Sequence, residues 1–340
     1  MKKEVSFLIC GMLIGTLIAT CGFAFYLRSS RNSASGPSDQ IVLKLGHCLD
    51  TSHPVHLGMV YMNERLMEIS GGKVKIEIYP SSVLGSEVEC ISQLQKGSLA
   101  MTKTSSASIE NFVPEMSVFG LPYLFRNEDH YWAVLKSDLG KELLQKGNDK
   151  YLLGLCYYDS GSRNFYTKNK PVRTPDDLIG LKIRVMNSRT AMDMVSALGA
   201  SPTPIAWGEL YTALAQGTVD GAENNPPSFT TNKHYEVCKH FSKDAHTRVP
   251  DMLLISTKVW DKLSPEVQGW VQQAADESCE YQRKLWREKT AEALKLAEAE
   301  GVTIYEVDQS LFAEKVKPMY DNIKDERITN LVKRIREVKP

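Results

Sequence analysis

From residue 264 to residue 301 the helical pattern runs without a break. Ser264 is a capping residue, Pro265 suits the first helical position, where its missing N–H is not needed, and Glu266 puts an acid in the first turn. Roughly 36 residues at 1.5 Å each make about 50 Å, longer than one lobe of an ordinary size. Such a helix, with no heptad repeat, predicts a spine laid across two packed bodies. A chain of 340 residues is long enough to build two.

The segments before the spine say what those bodies contain. Ile41–Gly46 reads as a strand, and 54–70 as a helix with Ser52 as its cap and Gly71-Gly72 as its stop. Residues 73–79 alternate Val74, Ile76 and Ile78 with Lys73, Lys75 and Glu77, the mark of a half-buried strand. A helix stopping at Gly97 and a strand over 99–104 follow. This rhythm predicts parallel pairing with right-handed crossovers. Residues 119–125 read as an apolar turn packed in the core.

After a strand at Leu152–Tyr158, the polar stretch 159–164 reads as a hinge into a second lobe, with a return at 248–251. The strands at 239–242 and 252–256 read as taking the chain back to the first lobe. The expected fold is therefore α/β and two-lobed, with a cleft between the lobes and the spine spanning both. The first lobe takes 41–162 with 250–287, and the second takes 163–249 with 288–340.

Composition narrows the function. The 41 basic and 41 acidic residues cancel and form no basic tract, so nucleic acid is not an expected partner. Lys2 and Lys3 precede an uncharged, largely apolar run over 5–27, the pattern of an export signal, which is also long enough to stay as a membrane anchor. Ile18-Ala19-Thr20-Cys21 loosely matches a lipoprotein cleavage site, with an atypical Thr. Residues 1–28 are thus a signal peptide or anchor, and the Ser-rich 29–40 a linker. Whether cleaved, lipidated or retained, the segment places the rest outside the cytoplasm, in the periplasm.

Beyond the signal, Cys48, Cys90, Cys156, Cys238 and Cys279 are scattered and odd in number. They form no disulfide framework or CxxC metal site, which leaves small buried side chains and one optional pair. His53 and His56 lack further ligands for zinc. No GxGxxG, P-loop, GxSxG or HExxH occurs, and no cofactor is expected. What stands out is Arg184, almost at the C-terminal end of a short strand over 181–185. That rim is where open α/β sheets bind ligands, and a guanidinium offers a carboxylate two parallel hydrogen bonds. Asn224 follows another short strand.

The chain resembles the periplasmic solute-binding proteins of tripartite ATP-independent periplasmic (TRAP) transporters, over about 41–320. The resemblance rests on Gly71-Gly72-Lys73-Val74, Tyr79-Pro80-Ser81-Ser82-Val83-Leu84-Gly85 and Gly120-Leu121-Pro122-Tyr123. It continues through Gly180-Leu181-Lys182-Ile183-Arg184-Val185, Gly199-Ala200-Ser201-Pro202-Thr203-Pro204 and Val219-Asp220-Gly221-Ala222-Glu223-Asn224. It implies that Arg184 clamps a ligand carboxylate, that Asn224 and Arg163 assist, and that Trp207 packs on the ligand. Arg189 and Arg248 are rival second cations to Arg163. It further implies that His47, Glu87, Ser105, Glu223 and His246 lie near the cleft.

Some sialic-acid-binding members carry Asn and Glu where this chain has Cys48 and Ser105, which disfavours sialic acid. Two cleft carboxylates, Glu87 and Glu223, would accept hydroxyls and repel a second anionic group, so a hexuronate is expected over succinate or malate. The implied protein is a monomer that catalyses nothing and hands an organic acid to a TRAP membrane permease. Two alternatives stay open. One is a secreted sugar-acid hydrolase or lyase using Glu87, Glu223 or His246, and the other is the ligand-binding subunit of a sensor.

Overall fold

The structure is a computed structural model that describes residues 40–340. The expected signal or anchor and nearly all of the linker lie outside the described residues. Among the described residues, eleven strands fall into two sheets. They are β1 (Ile41–Gly46), β2 (Val74–Tyr79), β3 (Met101–Ser105), β4 (Leu152–Tyr158), β5 (Arg163–Thr167), β6 (Lys182–Val185), β7 (Ser201–Pro204), β8 (Gly221–Asn224), β9 (His240–Thr247), β10 (Asp251–Ser256) and β11 (Thr303–Glu306). The first sheet has the order β2-β1-β3-β10-β4, and the second β11-β9-β5-β8-β6-β7. Five helices matter here: α1 (Pro54–Ile69), α2 (Glu87–Lys96), α3 (Arg189–Ala197), α4 (Pro265–Ala299) and α5 (Glu326–Glu337).

Local chemistry sets most boundaries. The Ser86 side chain accepts from the Glu89 N–H while Glu89 reaches back to Ser86, and Gly97 ends α2 in the left-handed conformation. Helix α1 departs from expectation. Its cap is His53, whose Nδ1 accepts from Val55 N at 3.2 Å, because the Ser52 hydroxyl is engaged with Asp50 at 2.7 Å.

Strand β1 pairs with β3 in parallel, as the strand–helix rhythm implied. Strand β10 instead enters antiparallel between β3 and β4. Strand β9 does not return to the first lobe. It stays in the second sheet beside β5 and β11, so β10 alone carries the chain back.

In the second sheet the period of two along a strand sends Phe165 to one core and Tyr166 to the other. Phe165 packs with Ile183, Val185 and Val195, and Tyr166 with Leu214, Phe229 and Phe241.

Helix α4 runs for 35 residues, close to the predicted spine, with Ser264 as its cap. It covers the edge strand β4. Gln272 donates to Leu155 O at 2.9 Å, Cys279 to Tyr157 O, and Ser278 Oγ meets the Tyr158 hydroxyl at 2.8 Å. It lies so close to α1 that a Cβ at Gly58 would stand 2.8 Å from that of Gln282. Near its far end Ala297 joins the second-lobe core.

The expected division fails at the C-terminus. Helix α5 does not belong to the second lobe: Ile328, Leu331, Val332 and Ile335 are part of the first-lobe core. Arg126 of that lobe holds the helix end through Arg336 O and Val338 O, at 2.9 and 2.7 Å.

Two extended crossings join the sheets, after β4 and before β10, and the Ser160 hydroxyl donates to Val249 O between them. Beside them Gly161 has φ +59°, and an added Cβ would lie 2.9 Å from Trp286 Nε1 on α4. Gly161→Ala should therefore cost about 1–2 kcal/mol, from the left-handed backbone plus displacement of Trp286. Chemical denaturation checks this, and a variant as stable as the parent contradicts it.

Candidate ligand-binding site

Sheet topology collects polar side chains at one rim of each sheet. Parallel strands deliver their C-terminal ends there: Ser105 of β3, Arg184 of β6 and Asn224 of β8. The antiparallel strands deliver their first residues to the same rims. Asp251 of β10 pairs opposite Ser105, and Arg163 opens β5 one residue before the Asn164–Asn224 pair. Between the rims lies a cavity of about 510 Å³, whose walls include Glu87, Lys103, Ser105, Ser108 and Asp251 on one side. Arg163, Arg184, Asn187, Trp207, Asn224 and Ser228 line the other.

Arg184 is 2% exposed. Its Nε and Nη2 both donate to Ile205 O, at 2.9 and 2.7 Å, and its Cζ lies 5.7 Å from the Trp207 ring centre. Its Nη1 is buried without a hydrogen-bond partner. Among the described residues no carboxylate pairs with it, and burial pulls its pKa below the usual arginine value. A charge taken out of water with no counter-ion is costly, and an anionic ligand would relieve that cost. The free end is Nη1 and the outer N–H of Nη2, because the inner edge of the fork is fixed on Ile205.

Arg163 is different. Its Nε and Nη2 meet both oxygens of Glu223, Nη2 also reaches Glu223 O at 2.7 Å, and Nη1 donates to Asn224 Oδ1 at 3.0 Å. Its charge is thus already paired within the chain, unlike that of Arg184. Asn224 Oδ1 also accepts from Asn225 N at 2.9 Å, which leaves the amide nitrogen as the side chain's donor to the cavity.

On the opposite wall Glu87 opens α2. Its Oε1 accepts from Ser105 N at 3.1 Å and Lys103 Nζ at 3.4 Å, and its Oε2 from Ser108 Oγ at 2.6 Å. Lys103 Nζ also lies 3.1 Å from Asp251 Oδ1. Lys103 is 2% exposed; burial opposes its charge, yet Asp251 and Glu87 outweigh burial and raise its pKa.

The family model for bacterial extracellular solute-binding protein, family 7 (DctP), matches residues 45–326. The chain belongs to that family. A TRAP periplasmic solute-binding protein of Bradyrhizobium sp. BTAi1, solved with α/β-D-galacturonate, is 40% identical to this solute-binding protein, with a TM-score of 0.84 over 87% of this chain and 99% of that one. Another from Citrobacter koseri, with bound D-glucuronate, is 36% identical, with a TM-score of 0.84 over 88% and 99% of the two chains. The protein YiiZ of Salmonella typhimurium is 38% identical over 304 residues, 88% of this chain and 92% of its own.

Not every expected position of this solute-binding protein faces the cavity. Arg184, Asn224, Arg163, Trp207, Glu87 and Ser105 line it, but His47, Glu223 and His246 do not. His47 is buried, with Nε2 on His56 Nδ1 at 3.0 Å, and burial, Lys103 and His56 hold its pKa down to about 2. Glu223 lies behind Arg163. His246 bridges Glu223, 3.3 Å from Nε2, and Asp244, 2.7 Å from Nδ1. The expected second cleft carboxylate is therefore consumed inside an Asp244–His246–Glu223–Arg163 chain of alternating charge.

Lys103 and Asp251 had no place in the expected site. The available signal was a lysine inside the strand read over 99–104, since unpaired Lys is rarely buried, whereas Asp251 stood just outside the strand read over 252–256 and gave none. The five cysteines among the described residues are free, and all but Cys279 are buried.

The charge chain carries a pH prediction. Burial alone would lower the pKa of His246, but Asp244 and Glu223 raise it from its ordinary 6.5 to about 9. A group whose pKa rises on folding adds stability that is complete below its unfolded value and lost as pH climbs through the folded one. Folding stability should fall between about pH 6.5 and 9, and His246→Gln should remove that component. Denaturant titrations from about pH 6 to 10 test this; parallel curves for parent and variant contradict it.

Proposed function

We propose that this protein captures a monoanionic sugar acid outside the cytoplasm, with a hexuronate such as D-glucuronate or D-galacturonate favoured, and presents it to a TRAP membrane permease. The observation that carries this reading is the buried Arg184 guanidinium, lacking a carboxylate partner among the described residues and ending in an unpartnered Nη1 beside the cavity between the two sheets. One ligand carboxylate fits there. Asn224, Glu87, Lys103 and Ser105 supply donors and acceptors for hydroxyls, and Trp207 supplies an apolar face. Relatives at 40% and 36% identity hold galacturonate and glucuronate.

Binding without turnover is favoured over a hydrolase or lyase because the acid–base candidates are engaged elsewhere. Glu223 and His246 are sealed behind Arg163, and Glu87 is tied to Ser105, Ser108 and Lys103. An export signal and a role outside the cytoplasm fit a member of this family.

A thermal-shift panel of hexuronates, aldonates, succinate and malate tests the proposal. Ligand at a thousand times Kd stabilises by about 4 kcal/mol, which corresponds to roughly 6 °C for a chain of this size. The expected result is a shift of that order with a hexuronate, and the same compound recovered unchanged after denaturation. Stabilisation by succinate or malate, with none by any sugar acid, overturns it.

A further inference from the structure

The wall facing Arg184 has its own charge pattern. Lys103 stands between two carboxylates, 3.4 Å from Glu87 Oε1 and 3.1 Å from Asp251 Oδ1, and all three groups border the cavity. One positive and two negative charges leave this wall at −1. Across the cavity, Glu223 cancels Arg163, and Arg184 remains at +1; Glu89 and Glu209 also line the cavity, but both are exposed and screened by water. The site is thus charged oppositely at its two ends: one lacks an anion, and the other already has one in excess.

We infer that the Glu87–Lys103–Asp251 triad is a charge filter, which admits acids bearing a single carboxylate and rejects those carrying a second one at the far end. The inference rests on the sugar-acid reading and adds which residues set the limit. Hydroxyls suit the triad because Glu87 and Asp251 accept hydrogen bonds while Lys103 donates. A second carboxylate there meets a net negative wall whose Lys103 is itself buried, where like charges repel more strongly than in bulk water. Nor can Glu87 turn away to make room, since the Ser105 N–H and the Ser108 hydroxyl pin its two oxygens from separate positions. A purely structural triad would leave ligand charge preference untouched, so that preference is the readout.

The test compares D-galacturonate with galactarate, the diacid formed when C1 of the same sugar is oxidised, by calorimetric titration. The parent should prefer galacturonate by about 100-fold or more, the size expected of one uncancelled charge a few ångströms away in a partly dehydrated site. Glu87→Gln keeps shape and removes the excess charge, so galactarate should gain at least about tenfold relative to galacturonate. Asp251→Asn removes the same charge from the other side of Lys103 and should shift the ratio in the same direction. A parent that binds both acids equally overturns the filter and leaves the sugar-acid reading standing. An unchanged ratio in whichever of the two variants folds does the same. If D-glucuronate is the hexuronate bound, it and glucarate replace the pair, and a parent that binds no hexuronate and neither diacid overturns both.

Discussion

Replacing Arg184 with alanine is expected to weaken sugar-acid binding by about 2–5 kcal/mol, roughly 30- to several-thousand-fold in Kd. The side chain is a cation at the cavity with no carboxylate partner among the described residues, held on Ile205 O with Nη1 left without a hydrogen-bond partner. Removing it strands the ligand carboxylate in a dehydrated site. Arg184→Lys should recover little, losing at least about tenfold, because an ammonium cannot bond Ile205 and also present two N–H groups to one carboxylate. The unliganded Arg184→Ala protein should lose far less stability than the complex, since the parent carries a buried charge without a counter-ion. Calorimetry of both variants with D-galacturonate, beside melting of the free proteins, checks each part. A Kd near that of the parent would remove the clamp.

Arg163 should behave in the opposite way, with a loss that appears before any ligand is added. Arg163→Met leaves Glu223, 1% exposed, with His246 at 3.3 Å as its remaining cationic neighbour. Breaking a buried ion pair from one side costs about 3–5 kcal/mol, or roughly 5–8 °C in Tm for a chain of this length. Removing both charges is milder, because a buried pair replaced by apolar side chains of similar size is often neutral. Arg163→Met with Glu223→Met should regain most of the loss. Melting curves of the single and double variants decide it. A single variant within about 2 °C of the parent would show that the pair contributes nothing.

The contrast between the two arginines marks where sequence reading stops. Arg184 was legible because an arginine at the C-terminal end of a strand is a local pattern, and so was the spine, whose cap and uninterrupted helix are local too. The state of Arg163 was not. Strand β5 aligns Asn164 with Asn224 and Phe165 with Glu223, and that antiparallel register brings the Arg163 fork onto the Glu223 carboxylate. Nothing in the spacing of residues 163 and 223 reveals it.

Lys103 and Asp251 were hidden for the same reason. They meet because β10 lies antiparallel to β3 with Asp251 opposite Ser105. The strand–helix rhythm implies parallel neighbours and gives no hint of such an insertion. Helix α5 has an apolar stripe that any core could have accepted, and only the packing of Ile328, Leu331, Val332 and Ile335 shows that it is the first lobe's.

The most direct measurement of the central claim is a crystal structure of the protein with D-galacturonate or D-glucuronate bound. The account predicts one sugar acid in the cavity, with its carboxylate about 2.7–3.0 Å from Arg184 Nη1 and its far hydroxyls on Glu87 and Lys103. A ligand whose carboxylate sits away from Arg184, or lies against the Glu87–Lys103–Asp251 wall, would contradict it.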